Sequence, residues 1–188
     1  MSNNPVLNSN PFGATSEQDV SAFELQVGHR LPEAYRSYLL QHNGAEFERS
    51  TIGEQGLGVH NLYGLHDGPD YANLKKKWRV SDYYDLEFLS DLLQGHLVFG
   101  NCGTGELLVL NLGSGAVEVL DQEVVVDGFS YTQVSQFTTH LAPGFDTFVE
   151  GLISFDASLD LLPEDERLDF QRRLAEFERQ AREEYGQD

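Results

Sequence analysis

The only cysteine of the chain, Cys102, lies in a glycine-rich stretch, Gly100-Asn-Cys-Gly-Thr-Gly105, where a strand could bend and present a nucleophile. A cysteine nucleophile needs a lowered thiol pKa, which a nearby cation or histidine supplies. The surrounding sequence is acidic apart from His96. No Lys-Ser or Lys-Thr follows the glycines and no helix is predicted to begin there, so they do not match a phosphate-binding loop either. We therefore interpret the stretch as a turn and predict no catalytic residue.

The histidines are scattered, without the His-x-His, HExxH or two-histidine-carboxylate spacings of metal sites. They are His29, His42, His60, His66, His96 and His140. His60, His66 and Asp67 come closest to a metal cluster, and nothing favours that interpretation over ordinary surface histidines. Carboxylates are so abundant that no glycosidase-like pair can be singled out. The sequence thus predicts no metal, no cofactor and no enzymatic activity, with a small hydrolase as the weakest alternative.

Net charge is the strongest feature of the composition. The chain has 31 acidic and 12 basic residues, and its formal net charge is −19. Between Val80 and Glu166 there is no Lys or Arg, while the same span contains 16 Asp and Glu residues. A field of one sign repels nucleic acid and anionic lipid, and it speeds encounter with a basic protein. We expect a basic protein partner, no nucleic acid and no membrane; the alternative is that the charge serves solubility or salt adaptation.

A short segment with both signs of charge indicates where the partner would bind. Four of the twelve cations lie in the five residues from Lys75 to Arg79, and the sign then reverses. Aromatic side chains beside charges are typical of interfaces. The alternative is that these tyrosines only pad the edge of the core. The sequence predicts a partner-binding surface formed by Asp82, Tyr83, Tyr84, Asp85, Glu87 and Asp91.

Length and composition limit the domain organisation. A chain of 188 residues with 40% hydrophobic content is long enough for one domain with a substantial core. A single cysteine excludes an internal disulfide framework. The start of the chain lacks a signal-peptide pattern, and no stretch approaches the ~18 apolar residues that span a bilayer. We therefore expect a cytoplasmic protein that is a monomer or a weak homodimer.

Two helices are predicted near the start of the chain. Residues 1–14, rich in Asn, Pro and Ser, are predicted to form a flexible arm. Ser16 is the expected N-cap of the first helix, which Gly28 ends. Leu31-Pro32 begins a second helix, because proline is tolerated in a first helical turn, and Asn43-Gly44 ends it. We interpret the polar run from Glu46 to Gln55 as a connection.

The middle of the chain is predicted to form an antiparallel sheet. Strands are expected around residues 56–63, 97–99, 106–112 and 116–120, because short glycine turns between neighbours force antiparallel pairing. A helix ending at Gly95 is expected from the leucine spacing after residue 85. Residues 124–126 and the region around Tyr131 offer a further strand. The fold class is thus α+β, an antiparallel sheet of about four to six strands packed with helices.

The last helix is predicted to form a C-terminal extension. It begins at Pro163 and carries a narrow apolar stripe of Phe170, Leu174, Phe177 and Ala181. Such a stripe needs a surface to pack on, and the domain itself is expected to supply it; dimerisation or a partner groove is the alternative. The predicted units are an arm over 1–14, an α+β domain over 15–159, and a packed C-terminal helix over 160–188.

The helix, tight turn, helix and Asn-Gly unit resembles the opening motif of the SUKH superfamily, which groups fungal cell-wall assembly (glucan synthesis) regulators with bacterial immunity proteins. The stretch from Leu97 to Leu107 is similar to the family's strand, glycine-rich turn and strand, and Phe145–Ile153 is similar to its closing helix. The residues that match the opening motif are Phe23-Glu24, Gly28, Leu31-Pro32, Tyr35, Leu39 and Asn43-Gly44.

The resemblance implies a non-enzymatic protein-binding module. In bacterial relatives this would be an immunity protein that neutralises a cognate toxin, such as a nuclease, by covering its basic active-site surface. The alternative is a regulatory scaffold like the fungal relatives. The compact sequence, without long disordered flanks, favours the immunity role.

Overall fold

The computed structural model describes residues 6–52, 57–68, 70–83, 93–121, 137–154, 157 and 159–185. The helices are α1 (Glu17–Val27), α2 (Glu33–His42), α3 (Phe145–Glu150) and α4 (Glu164–Tyr185). The strands are β1 (Val6–Ser9), β2 (Ala45–Ile52), β3 (Leu57–Leu62), β4 (His96–Cys102), β5 (Leu107–Asn111), β6 (Val117–Leu120), β7 (Thr138–Ala142) and β8 (Ile153–Ser154). None of the described helices is long and apolar enough to cross a membrane.

The strands form one antiparallel sheet. Strands β1 to β7 lie in sequence order. The short β8 pairs with Ser50 and Thr51 of β2, beyond the residues of β2 that pair with β1. The α+β class and the antiparallel pairing are confirmed. The sheet is larger than the four to six strands expected, because β1, β2, β7 and β8 add to the strands that the sequence predicts.

The ends of α1 and α2 are where the sequence predicts them. Ser16 caps α1 reciprocally: its hydroxyl accepts from the Asp19 N–H at 3.2 Å, and the Asp19 carboxylate accepts from the Ser16 N–H at 3.1 Å. Gly28 follows α1 with φ of 74°. Asn43 and Gly44 follow α2 with φ of 42° and 88°. Residues that tolerate the left-handed region therefore terminate both helices.

Asn43 ties three segments together from inside the protein. Its side chain is buried, and its Nδ2 donates to the carbonyls of Gly13 at 2.7 Å and Leu65 at 3.1 Å. Its Oδ1 accepts from the Leu65 N–H at 2.7 Å. The backbone carbonyl of Asn43 lies so close to Gly64 that a Cβ on Gly64 would overlap it. The Asn-Gly pair is thus a clamp as well as a helix end.

Aromatic rings join α2 and α3 to the sheet. The Tyr35 ring lies 5.7 Å from Phe99 of β4 and 4.8 Å from Phe145, and Phe99 also contacts Phe148 at 5.6 Å, measured between ring centroids. All four side chains are fully buried. Offset and edge-to-face pairs of this kind add to the free energy gained by burial alone. This cluster fixes the two helices on one face of the sheet.

Two segments differ from their predicted structure. The flexible arm predicted for residues 1–14 contains β1, which pairs with β2, and the Asn10 N–H donates to the His42 carbonyl at 2.7 Å. The connection predicted from Glu46 contains most of β2. Its polar residues hide the strand pattern, and a register shift between Glu46 and Ser50 interrupts the alternation. Tertiary pairing overrides local preference here.

Other sequence predictions have mixed outcomes. Strands β3 to β6 lie within a few residues of their predicted positions, and β7 lies in a stretch that has no predicted structure. The helix predicted to end at Gly95 falls mostly on residues 84–92, outside the described residues, as does the strand expected near residues 124–126 and Tyr131. Gly95 itself ends a turn, with φ of 84°.

Helix α4 exposes much of its apolar stripe. Leu174 is 36% exposed and Phe177 is 67% exposed, and Leu168 also faces solvent. Within the described part of the chain, the buried core cluster includes no residue of α4. The expected packing of the stripe against the domain is therefore not seen at Leu174 and Phe177. The boundary of the C-terminal unit at residue 160 stays a prediction.

We expect Phe177→Gln to change the free energy of unfolding by no more than about 0.5 kcal/mol, because the side chain is mostly exposed. Urea unfolding monitored by circular dichroism measures this. Phe148→Ala, at a fully buried position, is the contrasting variant and should cost about 3 to 5 kcal/mol. A cost of ~1.5 kcal/mol or more at Phe177 would show that α4 buries its stripe in solution.

Candidate partner-binding site

The basic run that begins at Lys75 is neutralised within its own loop. The Lys75 Nζ pairs with the Asp67 carboxylate at 2.7 Å, and the Lys76 Nζ pairs with Asp70 at 2.7 Å. Both ion pairs lie within the loop that follows β3, so each lysine contacts a carboxylate of the same loop. Lys75 and Lys76 therefore form no free cationic patch.

Asp82 is committed to the same loop. A 3-10 turn covers Val80–Asp82, and the Asp82 carboxylate accepts from the Arg79 N–H at 2.9 Å and from the Arg79 guanidinium at 3.1 Å. The side chain of Asp82 is only 13% exposed. Its charge is thus largely used to close the turn.

Tyr83 is held in a similar way. Its hydroxyl donates to the Lys77 carbonyl at 3.0 Å, and the Lys77 Nζ lies 5.2 Å from the centre of its ring. Lys77 in turn donates to the Asp82 carbonyl at 2.9 Å. Asp82 and Tyr83 are therefore both held by contacts within residues 77–83, and their role in partner binding stays a prediction. The other predicted contact residues, Tyr84, Asp85, Glu87 and Asp91, lie outside the described residues, and their role stays a prediction.

A small cavity lies beside this loop, which the sequence analysis did not anticipate. Its volume is about 190 Å³, and it sits between the end of α1, the loop at residues 78–81 and the turn before β4. Residues that line it include Val27, Trp78, Arg79, Val80, Ser81 and Leu93. A lone tryptophan beside an arginine is the one signal in the sequence that points here.

Trp78 is fixed in place at the wall of the cavity. Its ring meets the Phe23 ring of α1 edge-on at 6.5 Å between centroids, and its carbonyl accepts from the Val98 N–H at 2.8 Å. The Arg79 guanidinium lies over the Trp78 ring at 5.3 Å and is 58% exposed. The cavity therefore has a rigid apolar wall with a cation at its rim.

His96, at the start of β4, also borders the cavity. The Asn111 Oδ1 accepts from the N–H groups of Gly113 and Ser114, so its Nδ2 must donate to His96 Nε2, at 3.1 Å. In the neutral ring the proton is then on Nδ1, which is buried and has no hydrogen-bond partner among the residues that the structure describes. Burial lowers the pKa of His96, although the charge of Glu118 opposes this. His96 is thus a neutral, structural histidine.

Cys102 has the properties of a core residue. It is 1% exposed at the end of β4, and burial raises the pKa of its thiol to about 12, with a further contribution from the charge of Glu106. The reactive thiolate is therefore almost absent at neutral pH. This supports a structural role.

We expect the Cys102 thiol of the folded protein to resist alkylation by iodoacetamide at about pH 8, because burial both shields it and suppresses the thiolate. Mass spectrometry after a timed reaction measures this. In about 6 M guanidinium chloride the same thiol should react fully, which serves as the positive control. Rapid labelling of the folded protein would contradict the structural role.

The candidate metal residues are used for other contacts. His66 is buried; its Nδ1 accepts from the Gly68 N–H at 3.0 Å, and its Nε2 lies 3.3 Å from the Ala72 carbonyl. The Phe12 ring stacks on it at 3.9 Å. Asp67 pairs with Lys75. No group of three or more metal-ligating side chains occurs among the residues that the structure describes.

His66 should make stability depend on pH. Burial is the main cause that lowers its pKa below 6.5, so the unfolded chain binds a proton more readily than the folded one. Stability should fall as the pH drops through about 6.5 and level off below the lowered pKa. Comparing urea unfolding between about pH 7.5 and about pH 5 measures this. The His66→Gln variant should lose this fall in stability, whereas the variant His140→Gln, at an exposed position, should keep it. Identical dependence of stability on pH in the wild type and both variants would show that His66 is not its cause.

The carboxylates of the acidic tract are arranged differently from those near Lys75. Glu106 and Asp121 lie at the same end of the sheet, where β5 and β6 pair, and Asp146 and Glu150 lie on α3 with exposed side chains. Among the described residues, no Lys or Arg forms an ion pair with Glu106, Asp146 or Glu150. Within the tract, Glu106, Asp146 and Glu150 therefore keep unpaired charges, whereas Asp82 and Asp160 pair with Arg79 and Arg167.

Comparison with known proteins places most of the chain in one family. The model of the SMI1 / KNR4 family (SUKH-1) matches residues 14–151. The match begins just before the cap of α1 and ends just after α3, so α4 lies outside it. A search of the curated proteins gave no match.

Proposed function

This chain belongs to the SMI1 / KNR4 family (SUKH-1), and from that membership we propose that it is a non-enzymatic protein-binding module that acts as an immunity protein. It binds a cognate toxin domain, such as a nuclease, and covers the toxin's basic active-site surface. The carboxylates of the acidic tract occupy the place of the toxin's anionic substrate. Inhibition follows from binding alone, so no turnover is required.

The observation that carries this proposal is the segregation of unpaired charge. The tract from Val80 to Glu166 contains no cation. Asp82 and Asp160 pair with Arg79 and Arg167, which flank the tract, whereas Glu106, Asp146 and Glu150 form no ion pair with the described Lys or Arg residues. By contrast, Lys75 and Lys76 are paired at 2.7 Å. Solubility needs only net charge, whereas an attractive surface for a basic partner needs unpaired charge on one part of the chain.

The chemistry around Cys102 supports binding over catalysis. Its thiol is buried and its pKa is raised to about 12, so the residue type most suited to nucleophilic attack is held inactive. His66 and His96, which burial keeps neutral, are engaged with neighbouring backbone and amide groups. Cys102, His66 and His96 therefore have structural roles.

A regulatory scaffold, similar to the fungal cell-wall assembly regulators of the SUKH superfamily, is the second candidate. The observation in its favour is α4, which lies outside the family match and exposes Leu174 and Phe177. A scaffold joins two partners and therefore needs a second apolar surface beyond the family domain. An immunity protein needs only one.

Growth assays test the proposal. The product of the adjacent upstream gene is expressed alone and with this chain, and the purified pair is assayed for residual toxin activity. We expect restored growth and inhibition that is complete at an equimolar ratio. Inhibition by a small fraction of an equivalent would indicate catalysis, and binding that leaves the toxin active would favour the scaffold.

A further inference from the structure

The cavity beside Trp78 is the strongest unassigned feature of the described residues. Its floor is apolar, formed by Val27, Val80 and Leu93, and its rim carries Ser81 and the exposed guanidinium of Arg79. The lining residue Ser81 directly precedes Asp82, the first residue of the predicted contact surface. Because the Asp82 carboxylate bonds Arg79 at the rim, a partner that contacts Asp82 lies next to the cavity mouth.

The size of the cavity limits what it can hold. Its volume is about 190 Å³. Sites for drug-sized ligands and cofactors occupy about 300 to 1,000 Å³. The cavity is therefore too small for such a molecule and of the right size for one large side chain. Pockets of this kind hold the anchor residues of protein interfaces.

The charge at the rim selects the chemistry of the occupant. The Asp82 carboxylate bonds one guanidinium nitrogen of Arg79, at 3.1 Å, and a guanidinium has five N–H donors. More than half of the Arg79 side chain remains exposed. It lies at the mouth of an apolar cavity in a chain whose net charge is −19. The rim is thus a local inversion of the prevailing charge.

We propose that this cavity is the anchor pocket for one apolar side chain of the protein partner, with a carboxylate of that partner bound by Arg79 at the rim. The proposal deepens the binding role proposed above and rests on it. A partner that is basic elsewhere must present an apolar residue and a carboxylate at this point. A uniformly basic surface would leave Arg79 facing a like charge, so the pocket adds specificity to the attraction of the tract.

Disulfide tethering tests the pocket without the partner. Ser81→Cys places a thiol at the rim, and the wild-type chain, with its buried Cys102, serves as the control for background labelling. The probes are three disulfide reagents that share one isobutyl-bearing arm and end in a carboxylate, a primary amide or an amine. A fourth reagent ends in a carboxylate but lacks the isobutyl group. The concentration of 2-mercaptoethanol that halves the labelling ranks their affinity.

We expect the isobutyl carboxylate to resist about tenfold more 2-mercaptoethanol than the amine or the shorter carboxylate. Without a pocket the chain's negative charge would favour the amine, so the two accounts predict opposite orders. Adding Arg79→Gln should remove the preference for carboxylate over amide, and adding Val27→Phe, which fills the cavity, should remove the preference for isobutyl. Equal labelling by all four reagents, or preference for the amine, would show that the cavity is not an anchor pocket. The proposed binding role would be unaffected, because it depends on the acidic tract.

Discussion

Gly44→Ala is expected to destabilise the protein by about 3 kcal/mol or more, a large part of the roughly 5 to 15 kcal/mol that holds a domain folded. Gly44 has φ of 88°, where a side chain costs about 1 to 3 kcal/mol. A Cβ there would also lie 2.8 Å from the Leu62 carbonyl oxygen and 3.0 Å from the Gly64 nitrogen. Both neighbours are backbone, and the buried Asn43 clamp prevents them from moving apart.

Two other glycines provide matched controls for Gly44. Gly28 has φ of 74° but open space around its missing Cβ, so Gly28→Ala carries only the conformational cost of about 1 to 2 kcal/mol. Gly103 has neither a positive φ nor a neighbour within reach, so Gly103→Ala should be nearly neutral. Urea unfolding gives the three values. If Gly44→Ala costs no more than Gly28→Ala, the clamp does not constrain the backbone as described.

Reversal of charge in the predicted contact segment is expected to weaken partner binding by tenfold or more. The double variant Asp85→Lys and Glu87→Lys places cations where a basic partner should approach, and each tenfold loss corresponds to about 1.4 kcal/mol. Asp82 is left unchanged, because the structure uses its carboxylate to close the turn at Arg79 and its loss would disturb the fold. The measurement is affinity for the co-purified partner by calorimetry.

Glu176→Lys with Glu178→Lys is the matched control. Both pairs are two residues apart, and each reversal changes the charge by two units, so both double variants go from −19 to −15. The control pair lies on α4 among arginines, where Glu176 contacts Arg179 at 3.8 Å. Its effect should be less than threefold, roughly 0.6 kcal/mol. Equal losses from the two pairs would mean that only the total charge matters and that the segment is no contact surface.

The sequence predicts best those features that depend on neighbouring residues. Ser16, Gly28, Asn43 and Gly44 fix helix ends through local backbone chemistry, and they lie where they are expected. The glycine turns likewise define β4, β5 and β6, since short turns leave antiparallel pairing as the only solution.

Features that depend on distant residues were harder to predict. The polar strand β2 exists because β1, β3 and β8 pair with it, and no local pattern encodes those partners. In the same way, the sequence indicates a free surface charge at Asp82, whereas in the structure Arg79 donates a hydrogen bond to its carboxylate. The cavity at Trp78 depends on the meeting of α1 with two later segments, so only the structure could show it.

The central claim is that an unpaired acidic surface attracts a basic protein, and the association rate across a salt series tests it most directly. Stopped-flow mixing of the chain with its co-purified partner would follow Trp78, the only tryptophan of the chain, at rising NaCl concentration. Screening shortens the reach of charge from ~30 Å at 0.01 M to ~8 Å at 0.15 M ionic strength. We predict an association rate constant that falls at least tenfold over this range, with a much smaller change in the dissociation rate constant. A rate constant that does not change with salt would contradict the account and would leave the charge as an aid to solubility.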